Sequence, residues 1–452
     1  MTFKPYPTYK DSGVEWLGKV PEGWALKPIK AISTCNDNVL TDSTTEDLEI
    51  EYVEISGVNA EKGIFETALI PFSEAPSRAR RCVQDGDVIV STVRTYLRAI
   101  APVKQPPPPN LIVSTGFAVI RPQKINSNFL GFLFLAEFLI AKIIAHSVGV
   151  SYPAINASDL MVLKIPLPPL PEQETIAAFL DHETTRIDAL IAAQHSLIAL
   201  LKEKRQALIS HAVTRGLDPT VKLKDSGVEW LGMVPEGWVT HSLKYCAEDG
   251  RKKFTDGDWV ESPYITDNGV RLIQTGNVGI GEYRDKGFKY ISDNSFESLN
   301  CTEIKPNDIL ICRLDGPVGR ACIVPNLGLK MITSVDNTIL KLNKKFDPRF
   351  LVYVMCSSPW LDWIQNLCRV GGGFRFRISR TMLGDQQIPA PPRLDQIQIA
   401  DFLDSETAKI DTLIAEAQKG IELLKERRSA LISAAVTGQI DVRDWQAPEV
   451  AA

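Results

Sequence analysis

The sequence predicts a mixed α/β protein with a pseudo-twofold internal repeat: two α/β domains separated by two long helices that form an antiparallel coiled coil. Three observations predict it. The 452-residue chain is written twice; each copy ends in a long stretch with one apolar seam; and the segments between the repeats alternate short apolar runs with turns.

The repeat comes first. Lys10 to Trp24 reads KDSGVEWLGKVPEGW and Lys224 to Trp238 reads KDSGVEWLGMVPEGW, a single substitution apart. Pro168 to Thr214 then aligns without a gap to Pro391 to Thr437. The expected organisation is a lead-in at 1–24, a first insert at 25–165, a long helix within 166–216, a second lead-in at 217–238, a second insert at 239–388, a second long helix within 389–438, and a tail at 439–452. The inserts resemble each other only faintly. Both contain a step into an apolar strand (GDVIVSTVRTYLR from Gly86, NDILICRLDGPVGR from Asn307), and both end in a glycine loop, an isoleucine and a strand. A fixed frame holding two different inserts suits a protein whose frame sets spacing and whose inserts set specificity.

The long stretches read as helices because apolar residues recur three and four apart with no interior proline. The first stripe runs through Ile176, Phe179, Leu180, Ile187, Leu190, Ile191, Leu197, Ile198, Leu201, Leu208 and Ile209; the second through Ile399, Phe402, Leu403, Ile410, Leu413, Ile414, Ile421, Leu424, Leu431 and Ile432. Pro171 suits a first turn, Glu172 and Glu174 favour its positive end, and Gly216 lies just past the other. Some 42 residues at about 1.5 Å each make a helix on the order of 60 Å long, more than a flanking domain needs for its core. A single seam of that length needs a partner, and the other copy supplies it.

Within the inserts, strand-like runs are EYVEISGVN, GDVIVSTV and LIVSTGFAVI, then VRLIQTGNV, DILICRL and NTILKLN. One helix is expected before each glycine loop, at FLGFLFLAEFLIAKIIAHS from Phe129 and at RFLVYVMCSSPWLDWIQNLC from Arg349. Pro106 to Pro109 reads as an exposed polyproline turn inside the first insert.

Composition narrows the function classes. No stretch approaches the roughly 18 to 20 apolar residues of a membrane span, so a cytoplasmic protein with no membrane partner is expected. Eight cysteines show no CxxC pair and none of the five histidines stands at ligand spacing, so reduced thiols and no metal are expected. A net charge of −5 and a pI near 5.7 exclude a protein that coats nucleic acid through bulk charge. Any DNA contact must come from local basic patches.

The architecture, together with PLPPLPEQETIAAFLD (Pro166 to Asp181), resembles the specificity subunit of type I restriction-modification systems. The resemblance spans essentially the whole chain, and the KDSGVEWLGxVPEGW element looks like the family's lead-in to each recognition domain. It implies two target recognition domains, each reading half of a bipartite site on double-stranded DNA, held apart by an antiparallel coiled coil. It also implies two methyltransferase (modification) subunits docked on the scaffold, joined by restriction/translocase subunits. The second helix opening, PAPPRLDQIQIADFLD, replaces Leu-Pro-Glu with Arg-Leu-Asp.

Sequence readout needs Arg, Lys, Asn or Gln at base edges and cations at phosphates. In the first insert the candidates are Arg78, Arg80, Arg81, Arg94, Tyr96 and Arg98, with Ser151, Tyr152 and Asn156 from the glycine loop. In the second, RVGGGFRFRISR offers Arg369, Gly371, Gly372, Gly373, Phe374, Arg375, Arg377 and Arg380 with no acidic residue among them. Glycines let the backbone approach phosphate, and arginines can fork onto guanine. Gln274, Thr275, Asn277, Arg313 and Arg320 join them, and this insert holds about three more basic than acidic residues.

Signals that resemble catalysis fail on inspection, so no catalytic residue and no cofactor is expected. GVEWLGKV at Gly13 lacks the Ser or Thr of a phosphate loop, and Met233 replaces its lysine in the second copy. Gly276, Gly279 and Gly281 are out of order for a dinucleotide loop, no Asn/Asp-Pro-Pro-aromatic motif is present, and Glu303-Ile304-Lys305 lacks the rest of a nuclease motif. His182, His195 and His211 align with Ser405, Gln418 and Ala434, so the helices share no titrating chemistry. A self-contained methyltransferase or nuclease would need those motifs, and a coiled-coil adaptor would have no reason to diversify its inserts.

Overall fold

The computed structural model describes residues 4–103, 107–371 and 375–447. The chain divides into two compact units, Met1–His195 with Gln418–Ala452, and Ser196–Ala417.

Unit 1 holds two four-stranded sheets. In the first, Ile100–Pro102, Val88–Ser91, Phe117–Pro122 and Ser33–Cys35 pair antiparallel in that order. In the second the order is Ala68–Pro71, Glu49–Val53, Leu111–Ser114 and Ala79–Cys82, with a parallel step between Glu49–Val53 and Leu111–Ser114. Strands such as Val88–Ser91 are buried on both faces, which is why they read as continuous apolar runs rather than alternations.

Unit 2 repeats the plan. Its first sheet runs Ala321–Ile323, Ile309–Cys312, Asn337–Leu340, Phe254–Asp256, all antiparallel. Its second contains the same parallel step, between Val270–Ile273 and Met331–Thr333. The two inserts therefore keep one fold while their sequences diverge.

The apolar stretch from Phe129 was expected as a single helix, and it is two. Ser127–Leu135 and Glu137–Ala145 meet at 64° around Ala136, whose backbone is extended. The stretch from Arg349 likewise splits into Pro348–Met355 and Ser358–Leu367, with Pro359 in the first turn of the second piece. Folding back lets both pieces bury Phe129, Phe132, Leu139 and Ile143 in the unit 1 core, and Phe350, Val354, Trp360 and Ile364 in that of unit 2. Among the described residues no single helix is long and apolar enough to cross a membrane; the bent unit 1 pair has the length and composition for it but is core. Pro107 to Pro109 turn into Leu111–Ser114; Pro106 lies outside the described residues.

The long helices are Leu170–Arg215 and Arg393–Val436. Each gives its first half to one unit and its second half to the other. In unit 1, Ile176, Phe179 and Leu180 of the first helix share a core with Ile432, Ala435 and Val436 of the second. In unit 2, Ile209, Ala212 and Val213 share one with Ile399, Ala400 and Leu403. The start of one helix thus lies with the end of the other in both units, an antiparallel pairing. Its register is marked twice: Arg428 forks onto Asp188 in unit 1 at 2.9 and 3.2 Å, and Arg205 forks onto Asp411 in unit 2 at the same two distances. Asp188 aligns with Asp411 in the repeat, and Arg205 with Arg428.

The apolar stripe is only partly a seam. Ile187, Ile198, Ile410 and Ile421 are buried, whereas Leu190, Leu197 and Leu413 are exposed. Two paired helices bury a strip narrower than the stripe, leaving its margin in solvent.

Buried side chains fix the helix beginnings. The amide of Gln173 donates to the Pro168 carbonyl at 2.8 Å and accepts from the Asn126 backbone at 2.9 Å. Gln396 does the same with Pro391 and Asp347 at the same distances. Asn126 and Asp347 are in turn the N-caps of Ser127–Leu135 and Pro348–Met355. At the helix ends, Gly216 and Gly438 adopt φ of +75° and +73°. A methyl on Gly438 would strike Pro21, and one on Gly216 would touch Trp238, so each lead-in closes over a helix end within its own unit. Replacing Gln396 by Leu should lower the unfolding free energy by roughly 1–3 kcal/mol, because it strands a buried amide and carbonyl. Asp188→Ala, at an exposed pair, should cost under about 1 kcal/mol. Urea titration followed by tryptophan fluorescence ranks the two, and a larger loss for the aspartate variant contradicts the assignment.

Candidate nucleic-acid interface

In both units two loops meet at the same place. The first follows the central strand of the all-antiparallel sheet. In unit 1, after Val88–Ser91, the chain turns with φ of +51° at Arg94 and +52° at Arg98 before returning as Ile100–Pro102. In unit 2, after Ile309–Cys312, it turns through Asp315, Gly316 and Gly319, all at positive φ. Two arginines in the left-handed region are strained and persist only where their surroundings hold them. Here Thr95 shares a 2.7 Å hydroxyl contact with Ser147, and the Arg98 guanidinium forks onto Glu137 at 2.9 and 2.6 Å.

The second loop is the hairpin that precedes a short helix. In unit 1 Val148 and Ala154 exchange backbone hydrogen bonds, and Ala154 bridges to Val93 of the first loop. In unit 2 Arg369–Gly371 pairs with Arg375–Arg377, and Arg377 bridges to Leu314. Past the hairpin, buried Ile155 and Ile378 lead to the N-cap residues Asn156 and Ser379 of the helices Ala157–Met161 and Arg380–Asp385.

Each loop pair edges a cleft of about 520 Å³. That of unit 1 is lined by Glu54, Arg78, Arg94, Leu97, Thr115 and Tyr152 among others. That of unit 2 is lined by Asp256, Arg313, Val335, Arg377, Ser379 and Arg380 among others. Arginines stand in both, each beside a carboxylate or an aromatic ring. Arg78 donates to Glu54 at 2.5 Å, the Arg94 guanidinium lies 4.9 Å from the Tyr152 ring centre, Arg377 is 3.1 Å from Asp336, and Arg380 is 3.7 Å from Asp256. Open clefts with forked cations can grip an anionic, planar polymer.

Residues 21–198 match the type I restriction modification DNA specificity domain. The EcoKI type I restriction enzyme specificity subunit of Escherichia coli K12 is 22% identical over 440 residues, which span 95% of this chain and 92% of that one. A Methanocaldococcus jannaschii protein assigned as the MjaX specificity subunit is 25% identical over 453 residues, 94% of this chain and 96% of its own. Among solved structures, a chain from work on complex assembly and conformational transition of the type I R-M system shares the fold with a TM-score of 0.73 at 23% identity, covering 93% of this chain and 99% of that one. The HsdS subunit from Thermoanaerobacter tengcongensis shares it with a TM-score of 0.56 at 23% identity, covering 93% and 98%. Along nearly its whole length the chain is thus similar to specificity subunits of type I restriction-modification enzymes, and residues 21–198 match their DNA specificity domain.

The structure sorts the residues expected to read DNA. Arg78, Arg94 and Tyr152 come together in the unit 1 cleft, with Tyr96, Arg98 and Ser151 exposed on its two loops and Asn156 exposed just beyond, donating to Asp159. Arg377 and Arg380 come together in unit 2. Arg369, Gly371 and Arg375 belong to the hairpin strands, while Gly372, Gly373 and Phe374 lie outside the described residues.

Other expectations need correction. Arg80 lies over the Phe72 ring and pairs with Asp42, and Arg81 is half-buried beside Cys35, where desolvation pulls its guanidinium below the ordinary range. Neither lines the cleft. Asn277 is 2% exposed and ties its own loop together, accepting from the Gln274 backbone and donating to the Arg284 and Lys286 carbonyls. Gln274 and Thr275 form the same turn, and neither lines the unit 2 cleft. Arg320, 7% exposed, donates to the carbonyls of Val278, Thr275, Pro317, Leu314 and Asp315. Arg320's donors are spent on backbone, so it holds loops rather than faces a ligand. Arg313, 4% exposed, lines the unit 2 cleft but is anchored there, donating to the Ile378 and Val335 carbonyls and pairing with Asp256 at 3.2 Å. The carboxylates Glu54, Glu137, Asp256 and Asp336 were not anticipated; acidic residues facing the arginines from other elements were the missing signal.

No group of metal-ligating side chains occurs among the described residues. Burial pushes the Cys246, Cys322 and Cys356 thiols up to about 12, away from nucleophilic character at neutral pH. Arg320→Met should cost roughly 3 kcal/mol, since several buried carbonyls lose their donor. Arg377→Met should change stability by under about 1 kcal/mol. Thermal denaturation of the two variants distinguishes strut from surface reader, and equal losses would remove the distinction.

Proposed function

We propose that this specificity subunit reads a bipartite site on double-stranded DNA, one half with each unit, and performs no chemistry of its own. One observation carries the reading: the same two loops lie together at the same place in both units, on a frame that the sequence repeats, yet their side chains differ. A repeated frame with unlike loops fits a ligand that presents two unlike halves. Activity then belongs to partners, two methyltransferase subunits and the restriction/translocase subunits, for which the chain is the scaffold. Support for docking comes from leucines exposed at repeat-equivalent positions of the long helices, Leu190 with Leu413 and Leu200 with Leu423. The site of action is the cytoplasm, in keeping with DNA as the ligand and eight unpaired cysteines.

Sequencing modified adenines in cells that express this chain with its methyltransferase tests the reading. Arg377→Ala with Arg380→Ala should relax or change one half of the methylated sequence and leave the other intact, with a loss of roughly 1–3 kcal/mol per guanine contact. Methylation at an unaltered bipartite sequence, or loss of both halves together, contradicts the assignment of those arginines. A second expected outcome concerns spacing. Two helical turns inserted into both long helices should lengthen the gap between half-sites while each half stays the same, and an unchanged gap counts against the helices as its determinant.

A further inference from the structure

The unit 1 hairpin carries an apolar group that stands largely exposed among the described residues. Val148, Val150 and Tyr152 are 80%, 102% and 65% exposed, and Tyr96 and Leu97 of the neighbouring loop are 52% and 44% exposed. Contiguous apolar surface rimmed by charge marks a contact site. The turn is held firmly enough to present these groups. Val148 and Ala154 exchange hydrogen bonds of 2.8 and 3.0 Å, Gly149 supplies a φ of +117°, and Ser147 is pinned to Thr95. Arg94 lies against the Tyr152 ring at its base.

The hairpin at the corresponding place in unit 2 differs: its strands carry Arg369, Arg375 and Arg377, whereas residues 147–155 of unit 1 hold no charged side chain. That contrast selects the occupant. A protein partner docking on each copy of a repeated frame would require the same surface twice, whereas the two halves of a DNA site need not be alike.

Resting on the proposed DNA-reading role, we propose that Val148, Val150 and Tyr152 form an apolar finger that enters a groove of its half-site and packs against base steps. That half is then read through apolar contact and deformability, and the other through arginines. Apolar wedges of this kind contribute affinity without displacing counterions.

The test uses the full chain assembled with its methyltransferase subunits. Val148→Ser with Val150→Ser, and separately Val148→Leu with Val150→Leu, are titrated onto duplexes bearing the intact site, a scrambled first half or a scrambled second half, across a range of KCl. The serine variant should bind the intact site about tenfold more weakly, within the range for a lost base-pair contact. It should lose discrimination for one half only and keep the wild-type dependence of log K on log salt. The leucine variant should retain both affinity and discrimination. Unchanged binding by the serine variant overturns the finger, as does a shallower salt slope. Failure of the serine variant to assemble with the methyltransferase subunits would make the patch a protein contact and overturn it as well. A wild-type complex that distinguishes neither half would instead defeat the underlying reading, and is recognised because it precedes any substitution.

Discussion

The antiparallel register of the two long helices is the constraint on which the rest of the structure depends. Within unit 1 the beginning of Leu170–Arg215 packs with the end of Arg393–Val436, and within unit 2 the roles are exchanged. Each insert therefore docks on the same composite surface, one helix start and one helix end. The ion pairs Asp188–Arg428 and Arg205–Asp411 stabilise little, being exposed. Their weight lies in register: a slip of one turn would break both at once and misalign the buried isoleucines. The energy comes from those apolar residues, at about 25 cal/mol for each Å² removed from water.

Near-identity of sequence is found where this register must be translated into a docked domain. The lead-ins place Trp24 and Trp238 against the ends of the helices, and Gly438 and Gly216 have no room for a larger residue without displacing a neighbour or straining the backbone. Gln173 and Gln396 each join three segments with two hydrogen bonds at equal lengths. A buried amide that satisfies both a donor and an acceptor tolerates no substitute of different shape or polarity. By contrast, the loops at Arg94 and Asp315 need only a strand to leave from and a strand to return to. Divergence is permitted there because the sheets, not the loop side chains, define the fold.

Periodicity and repetition made the architecture legible, the duplicated stretch and its stripe as the two long helices and most apolar runs as strands, though LIVSTGFAVI, read as one run, is two strands, Leu111–Ser114 and Phe117–Pro122, in different sheets. The break at Ala136 was not legible, because alanine is a good helix former and only the tertiary gain of folding back bends the chain there. Leu190 and Leu413 fit the stripe as well as Ile187 and Ile410 do, and only the width of a two-helix contact leaves them outside it. Arginine was harder still. Arg313 and Arg320 resemble Arg377 and Arg380 in every local respect, but carbonyls from residues 275, 278, 314, 315 and 317 converge on Arg320, a coincidence of distant backbone that no spacing rule reveals.

Under the proposed DNA-reading role, the carboxylates beside the exposed arginines give an acidic protein a means to discriminate on a polyanion. A bare arginine cluster would bind any phosphate backbone, with affinity set by salt. When Arg78 already rests on Glu54, Arg98 on Glu137 and Arg377 on Asp336, a phosphate must compete with an anion already in place, so unspecific contact gains little. A base edge that offers two acceptors to the planar fork recovers the lost pairing in full, while one that offers a donor leaves the guanidinium and the carboxylate worse off than before. Fixing the arginines in advance also lowers the side-chain entropy lost on binding. In that role the intramolecular ion pairs would act as a threshold, and discrimination would be the difference between groups that exceed it and groups that do not.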